Sequence, residues 1–178
     1  MKKFKIPMLI LLYLVACYNI YYHLKPNILY KTQYNINSHI SIPKQKNTIG
    51  RLIIDKLNIN QPLYNINDNK NNVEENVTIL TGTIEPNKNN SIVFLAAHSG
   101  TGKIAYFKNL DKLKSNDKIT LIYKEHTYYY EVKNYWEIKK NGTITVPKEE
   151  KNQLILTTCS PKKDNYQLII NCIQKESI

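Results

Sequence analysis

Two residues stand where a nucleophile and a proton carrier would be useful, Cys159 and His98. Cys159 ends the apolar run "QLILTTC", and His98 ends the run "IVFLAAH" just before Gly100. The thiolate is the attacking form of cysteine, and histidine is the usual general acid and base near neutral pH. Two such residues at the ends of separate predicted strands favour a Cys–His pair that is distant in sequence and adjacent in space.

Each of these residues also has an ordinary structural explanation. A free cysteine is often a small buried apolar side chain, and a histidine at a strand end can be a structural or loop residue. No His/Cys cluster has the spacing of a zinc site. Carboxylates that could hold calcium are present but match no calcium-loop signature, so we expect no cofactor and no metal, with calcium as an unsupported alternative. These carboxylates are Asp68, Glu74, Glu75 and Glu85.

The elements that must position the pair are predicted to be strands. From Ile49 onward the sequence shows about eight short apolar or alternating runs and little helix, a pattern typical of an all-β closed or nearly closed barrel. The segment "KITLIYKEHTYYYEVKNYWEI" predicts a hairpin with its turn at residues 124–126. "NGTITVP" predicts a further extended piece, and apolar residues at spacings of three between positions 104 and 113 predict one or two turns of helix.

The N-terminus is typical of a membrane segment. "MKKFK" is positive, and the 17 residues "IPMLILLYLVACYNIYY" that follow carry no charge, which is the lower limit for a spanning helix. We expect a cytoplasmic basic tail at 1–5, a transmembrane anchor at 6–23, a spacer at 24–48 and an extracellular domain at 49–178. Two alternatives, a lipoprotein lipidated on Cys17 of "LVAC" and a cleaved signal peptide, also place the domain outside the cytoplasm.

Composition excludes one class of partner. The formal net charge is +11, yet Arg51 is the single arginine among 25 Lys+Arg residues. Base-edge recognition of nucleic acids favours arginine, so we expect no nucleic-acid binding. A basic face that meets an anionic membrane or wall polymer fits the charge better. Three cysteines, one of them in the N-terminal apolar segment, are too few for a disulfide scaffold.

Taken together, these segments resemble the sortase family, the surface transpeptidases of Gram-positive bacteria. "GRLIIDKLNINQPLY" resembles the first strands of that family, and "IVFLAAHSGTGKIAYFKNLDKLKSNDKI" resembles its catalytic-histidine segment. "LILTTCSP" resembles its nucleophile strand, with Ile155 where the first threonine usually stands. The resemblance covers residues 49–174 and implies a sortase-like eight-stranded β-barrel with one or two short helices, behind an N-terminal transmembrane helix.

The resemblance also implies a mechanism. Cys159 would attack the peptide bond after the threonine of an LPxTG-like sorting signal, and His98 would protonate the leaving amine and deprotonate the incoming one. An amine of a peptidoglycan precursor or of another protein would then resolve the acyl-enzyme. Thr158 and Ala97, which directly precede the two reactive residues, are expected to bind substrate.

One position departs from the family pattern. The family places an arginine early in the strand after the cysteine, and Gln167 occupies that position here. We predict that the Gln167 amide donates to the substrate and the oxyanion, with Lys162 or Lys163 supplying positive charge. One alternative is a catalytically impaired sortase-fold protein that binds sorting signals or wall components. Another is a lipoprotein adhesin in which Cys159 is structural.

Overall fold

A computed structural model of the protein describes residues 15, 18, 47–147 and 149–175. The chain divides into two compact units, Met1–Lys44 and Gln45–Ile178. In the first unit the described residues are Val15 and Tyr18, which are helical and exposed. Within the described ranges, no helix has the length and apolar character needed to span a membrane. The predicted tail, the predicted anchor apart from Val15 and Tyr18, and nearly all of the predicted spacer lie outside the described residues and stay predictions.

The described residues of the second unit form eight strands and two short 3-10 helices, which confirms the all-β prediction. The helices are Asp55–Leu57 and Leu110–Lys112. The strands are β1 Thr48–Ile54, β2 Ile59–Tyr64, β3 Thr78–Ile79, β4 Ile92–Ala96, β5 Lys118–Tyr123, β6 His126–Lys139, β7 Gln153–Cys159 and β8 Tyr166–Lys175.

All eight strands belong to one sheet with the order β2-β1-β5-β6-β8-β7-β4-β3. The two edge strands, β2 and β3, contact each other, so the sheet curls into a nearly closed barrel. Every neighbouring pair is antiparallel except β4 and β7, which are parallel. A parallel pair brings the carboxyl ends of its two strands to the same edge of the sheet, and this decides where the reactive residues meet.

The barrel interior is filled by apolar side chains that recur at every second position of the strands, as the pleat requires. The interior cluster includes Leu52, Leu63, Leu95, Leu121, Tyr130, Leu156 and Ile170. Ile155 and Ile169 lie outside this cluster and are nevertheless fully buried. The outer face of β7 and β8 is therefore covered as well.

The connection between β6 and β7 lies over the outer face of β7. The side-chain amide of Gln153, at the start of β7, donates to the carbonyl oxygen of Pro147 and to Oδ1 of Asn171, both at 3.1 Å. The predicted extended piece "NGTITVP" belongs to this connection and contains no strand. The predicted extended piece therefore does not pair as a strand, and its contact with the sheet is the Pro147 carbonyl oxygen on Gln153.

The predicted hairpin is confirmed, and the predicted helix is reduced to a single turn. Lys124 and Glu125 join β5 to β6 with φ of +47° and +69°, as a two-residue turn between twisted strands requires. Between residues 104 and 113 the chain forms turns and one 3-10 helix. Phe107, Leu110 and Leu113 are buried at spacings of three. A period of three matches the 3-10 helix, whose side chains at i and i+3 eclipse, better than it matches the α-helix.

Gly50 in β1 has no room for a side chain. A Cβ at this position would lie 2.1 Å from the carbonyl oxygen of Ile122 in β5, and that oxygen cannot move without disturbing the pairing of the two strands. We expect Gly50→Ala to lower the free energy of unfolding by at least about 2 kcal/mol, measured by urea unfolding. Gly102→Ala is the control, because a Cβ there meets nothing within 4 Å. Equal losses in both variants would contradict the steric argument.

Candidate active site

The parallel pairing of β4 and β7 brings His98 and Cys159 to the same edge of the sheet. The pairing is in register from Ile92 with Gln153 to Ala96 with Thr157. Two residues farther along both strands, the same offset of 61 places His98 beside Cys159. The sequence-based expectation that these residues meet is consistent with this register. No hydrogen bond joins their side chains within the described part of the chain.

Both reactive side chains lie on the outer face of the barrel. In β7, Leu154 and Leu156 belong to the interior cluster, so Cys159 falls on the opposite face by alternation. In β4, Leu95 belongs to the interior, as does Ala97 just beyond the strand, which puts His98 outside. Cys159 is exposed. A nucleophile and a proton carrier are therefore accessible at one surface with a rigid sheet behind them.

A buried hydrogen bond ties the two strand ends together behind the reactive pair. The hydroxyl of Thr158 donates to the carbonyl oxygen of Ala97 at 2.7 Å, and both residues are at least nine-tenths buried. The next carbonyl, that of His98, accepts the backbone N–H of Phe107 at 2.9 Å. Thr158 and Ala97 thus hold the positions of the residues that follow them. Their contact with substrate stays a prediction. Because both side chains are buried, the main-chain atoms of these residues are the ones that would make this contact.

The thiol of Cys159 has a cationic neighbour that sequence reasoning missed. Nζ of Lys140 lies 3.0 Å from the sulfur. Lys140 follows the end of β6, two residues beyond Ile138, which shares a row across the sheet with Cys159. The register of the strands could have revealed the contact between Lys140 and Cys159. It does so only when the strand order β6-β8-β7 is known, and that order cannot be read from the sequence.

His98 is oriented by a carboxylate from the connection between β2 and β3. Its Nε2 lies 3.2 Å from Oε1 of Glu74. An ionised carboxylate only accepts hydrogen bonds, so in the neutral ring Nε2 carries the proton and Nδ1 keeps the free lone pair. The side chains are 36% and 68% exposed, so the contact sets ring orientation and contributes little to stability. Nδ1 is thus the ring atom available for proton transfer.

Gln167 lies next to Cys159 in the sheet. It is the direct cross-strand partner of Cys159 in β7 and of Ile138 in β6, so the three residues form a row across three strands. Among the described residues no hydrogen-bond partner is found for its side-chain amide, which is half-buried. The amide therefore shares a row with the thiol and has no hydrogen-bond partner among the described residues, and its role toward the substrate and the oxyanion stays a prediction.

The turn after Cys159 is held by its own network. The Ser160 hydroxyl donates to Glu137 and accepts the backbone N–H groups of Lys162 and Lys163 at 3.0 Å. Nζ of Lys163 lies 3.1 Å from the other oxygen of Glu137. The Ser160 and Lys163 contacts hold the pKa of the Glu137 carboxyl below its usual range. Lys163, predicted as a source of charge for the thiol, is thus committed to Glu137.

The single arginine is remote from this edge. Arg51 lies in β1, and three strands, β5, β6 and β8, separate β1 from β7 in the sheet. Its Nη1 donates to Oδ1 of Asn60 at 2.8 Å. No arginine therefore reaches Cys159 in the described structure.

The carboxylates weighed for calcium do not form a cluster. Glu74 contacts His98, and Glu85 pairs with Lys124 at 2.7 Å, in a different part of the barrel. No group of three or more His, Cys, Asp or Glu side chains among the described residues could hold a metal ion. The expectation that the protein binds no cofactor stays a prediction.

A cavity of about 540 Å³ lies at the other end of the β7–β8 ladder and carries no reactive group. Four of its charged side chains form ion pairs, Lys133 with Glu149 at 2.6 Å and Lys175 with Glu131 at 2.9 Å. Ile173, which also lines it, pairs with the first residue of β7, whereas Cys159 is the last. The chemistry therefore belongs to the open surface at Cys159 rather than to this cavity.

Comparison with known proteins agrees with this fold. A family model for the sortase domain matches residues 52–174. The chain is 28% identical over 123 residues to sortase A of Bacillus anthracis, which covers 68% of this chain and 56% of that relative. The chain thus spans little more than half the length of that relative.

Solved sortases share the architecture. A lid mutant of sortase A from Corynebacterium diphtheriae superposes with a TM-score of 0.65 at 22% identity, covering 78% of this chain and 75% of that one. Sortase C1 from Streptococcus agalactiae gives a TM-score of 0.64 at 27% identity, covering 80% of this chain and 74% of that one. With a sortase-domain match over more than half of its length and the same barrel, the chain belongs to the sortase family.

Proposed function

We propose that this chain is a cysteine transpeptidase that cleaves an LPxTG-like sorting signal and joins the acyl product to an amine. The observation that carries the proposal is the meeting of an exposed thiol, Cys159, and His98 at one end of the parallel pair β4–β7 in a member of the sortase family. The acceptor is an amine of a peptidoglycan precursor or of another protein. The adhesin alternative, with a structural Cys159, is disfavoured because the buried structural thiol is Cys172.

The chemistry proceeds through two acyl transfers. The thiol proton of Cys159 passes to His98, and the sulfur attacks the threonine carbonyl carbon of the signal, so that a C–S bond forms and the carbonyl π electron pair moves to oxygen. Collapse of this intermediate breaks the C–N bond, and His98 gives its proton to the leaving amine. The acceptor amine then attacks the thioester, its proton passes to His98, and the Cys159 thiolate leaves. One peptide bond is exchanged for another, so no cofactor is consumed.

The surface beside the thiol suits an extended peptide with apolar residues. Ile138 and Trp136 lie on β6 at alternate positions, and both are half-buried, so they retain exposed apolar surface. Ile138 shares the row of Gln167 and Cys159. The apolar residues of a sorting signal would pack on this strip while the scissile carbonyl lies over the thiol.

The proposal includes a location. We infer a single membrane span at residues 6–23 with the N-terminus inside, which would put the catalytic unit at the outer surface, where sorting signals and wall amines are found. A net charge of +11 favours contact with anionic lipids and wall polymers there.

The direct test is a transfer assay with the full-length chain kept in mild detergent. It is incubated with a pool of LPxTG-like peptides and either triglycine or hydroxylamine, and products are read by mass. We expect a new acyl–acceptor product that requires both peptide and acceptor and disappears after treatment of the enzyme with iodoacetamide. Peptide binding without any product would instead support the catalytically impaired alternative, a sortase-fold protein that only binds sorting signals.

The same assay tests the role of Gln167. Removing one neutral donor beside the developing oxyanion is expected to lower kcat by about ten- to a hundredfold, so Gln167→Ala should fall in that range. Gln167→Glu keeps the size of the side chain but removes its donors, and it should fall at least as far. Gln61→Ala, a change of the same kind in β2, is the control. An unchanged rate in Gln167→Ala would show that the amide does not serve the oxyanion.

A further inference from the structure

The ammonium group of Lys140 is the cationic group that touches the nucleophile, at 3.0 Å from the sulfur of Cys159. This contact follows from the pairing of the strands. Ile138, Gln167 and Cys159 form a row across β6, β8 and β7, and Lys140 comes two residues after Ile138, on the same face. Neighbouring strands lie about 4.8 Å apart, so β6 and β7 are separated by about 10 Å, a gap that a lysine side chain can bridge by crossing β8.

The backbone of Lys140 is fixed although it lies one residue beyond the strand. Its N–H donates to the carbonyl oxygen of Asn165 at 2.8 Å. Asn165 takes φ of +61° in the turn that opens β8, a conformation that asparagine tolerates better than most residues. The base of the lysine side chain is therefore anchored to the same turn that follows Cys159.

Three other cationic residues do not serve the thiol. Lys163 pairs with Glu137 at 3.1 Å, and Arg51 donates to Asn60 in β2. Lys139 is the last paired residue of β6, and alternation turns it to the opposite face from Lys140. Across the residues the structure describes, Lys140 alone brings a positive charge within hydrogen-bond distance of the sulfur.

We propose that Lys140 is a catalytic residue of this sortase and that it divides with Gln167 the work of one arginine. Lys140 places a positive charge against the sulfur and the developing oxyanion, and Gln167 supplies planar, directional N–H donors. The inference rests on the proposed transpeptidase function. The reacting atoms carry negative charge twice, on sulfur before attack and on the carbonyl oxygen after the C–S bond forms.

The chemistry of the two side chains supports this division. Lysine carries a compact point charge with three donors and no fixed fork, whereas a guanidinium combines charge with planar geometry. An amide offers planar geometry without charge. Neither side chain alone replaces a guanidinium, but the two lie on the same face beside the same thiol.

The first test measures the charge at the thiol and needs no sorting signal. The full-length chain carries Cys17→Ser, so that Cys159 is the accessible thiol and Cys172 is fully buried. Rates are measured with an anionic and a cationic methanethiosulfonate reagent of similar size. Their ratio is independent of the fraction of thiolate. Lys140→Met should lower the anionic-to-cationic ratio about fivefold at low salt, and the effect should shrink as salt is raised.

Two further measurements use a neutral alkylating reagent and the transfer assay. Lys140→Met should slow iodoacetamide alkylation at pH 7 about three- to fivefold and lower kcat in the transfer assay about tenfold. Lys140→Arg should restore most of the reagent ratio. Lys139→Met, which removes a neighbouring charge from the opposite face, is the matched control and should leave the ratio and alkylation rate unchanged.

Two results with the charged reagents would overturn the proposal. One is an unchanged reagent ratio in Lys140→Met, and the other is an equal fall in Lys139→Met, which would mean that general surface charge governs the thiol. Lys140 is exposed, so its variants should melt at the wild-type temperature, and Lys140→Gln repeats the test if methionine does not. If the wild type transfers no peptide while the reagent ratio still responds, the transpeptidase function fails and the charge contact stands. If the wild type is active and Lys140→Met matches it, the role of Lys140 fails alone.

Discussion

Cys159→Ala is expected to remove transpeptidation, with product formation falling by a factor of about 10⁴ or more. In the proposed mechanism this side chain supplies the atom that bonds to the acyl group, and Cys159 is the exposed cysteine of the described structure. Ser160, the neighbouring hydroxyl, is directed away and bonded to Glu137. The assay is the peptide and triglycine reaction read by mass, with the acyl-enzyme mass of the wild type as a second readout.

Cys172→Ala is the matched control for the nucleophile. Cys172 is fully buried in the barrel, and burial raises the pKa of its thiol well above the usual value. Its loss should leave the transfer rate near that of the wild type and cost about 1 kcal/mol of stability through a small cavity. Product that persists in Cys159→Ala and disappears in Cys172→Ala would reverse the assignment.

His98→Ala is expected to lower kcat/KM by about 10²–10⁴, the range for loss of a positioned general acid and base. Glu74 holds Nε2 of the ring, which leaves Nδ1 for the proton that the leaving amine needs. Added imidazole should restore part of the rate, because it replaces a proton carrier but not a structural side chain. Rescue would be read as a rate that rises with imidazole concentration.

His126→Ala is the control for the histidine. His126 opens β6 beside the β5–β6 turn and is exposed. Its removal should change neither the transfer rate nor the response to imidazole. A His98→Ala variant with the wild-type rate would place the proton transfer on another group and leave the contact with Glu74 as a purely structural one.

Much of the fold could be predicted from the sequence because the sequence patterns that indicate strands are local. The apolar run "QLILTTC" predicted a strand ending at Cys159, and β7 spans Gln153–Cys159. The β5–β6 hairpin was likewise visible in two β-rich runs around a short polar turn. The expected helix between residues 104 and 113 is a single 3-10 turn. Apolar residues at a spacing of three fit a 3-10 helix as well as one face of an α-helix, so the sequence pattern alone does not distinguish the two.

The site was readable only in part because its geometry depends on long-range pairing. Cys159 and His98 could be proposed from strand ends, and Gln167 from its register with the family pattern. Lys140 could not, since one lysine in a lysine-rich chain gives no local signal and its contact depends on β8 lying between β6 and β7. The same holds for Glu74, which the sequence offered as a calcium ligand and the structure places on His98.

The parallel pairing of β4 with β7 has a consequence for the order of folding. Every other neighbouring pair in the sheet is antiparallel, and the two paired strands are separated in sequence by the whole of β5 and β6. Closing such a long loop is slow compared with forming a hairpin, so contacts of this kind form late. The thiol therefore meets its histidine only when β7 has docked against β4. Assembly of the site is a late event, and a chain that has formed only its hairpins carries Cys159 without His98 beside it.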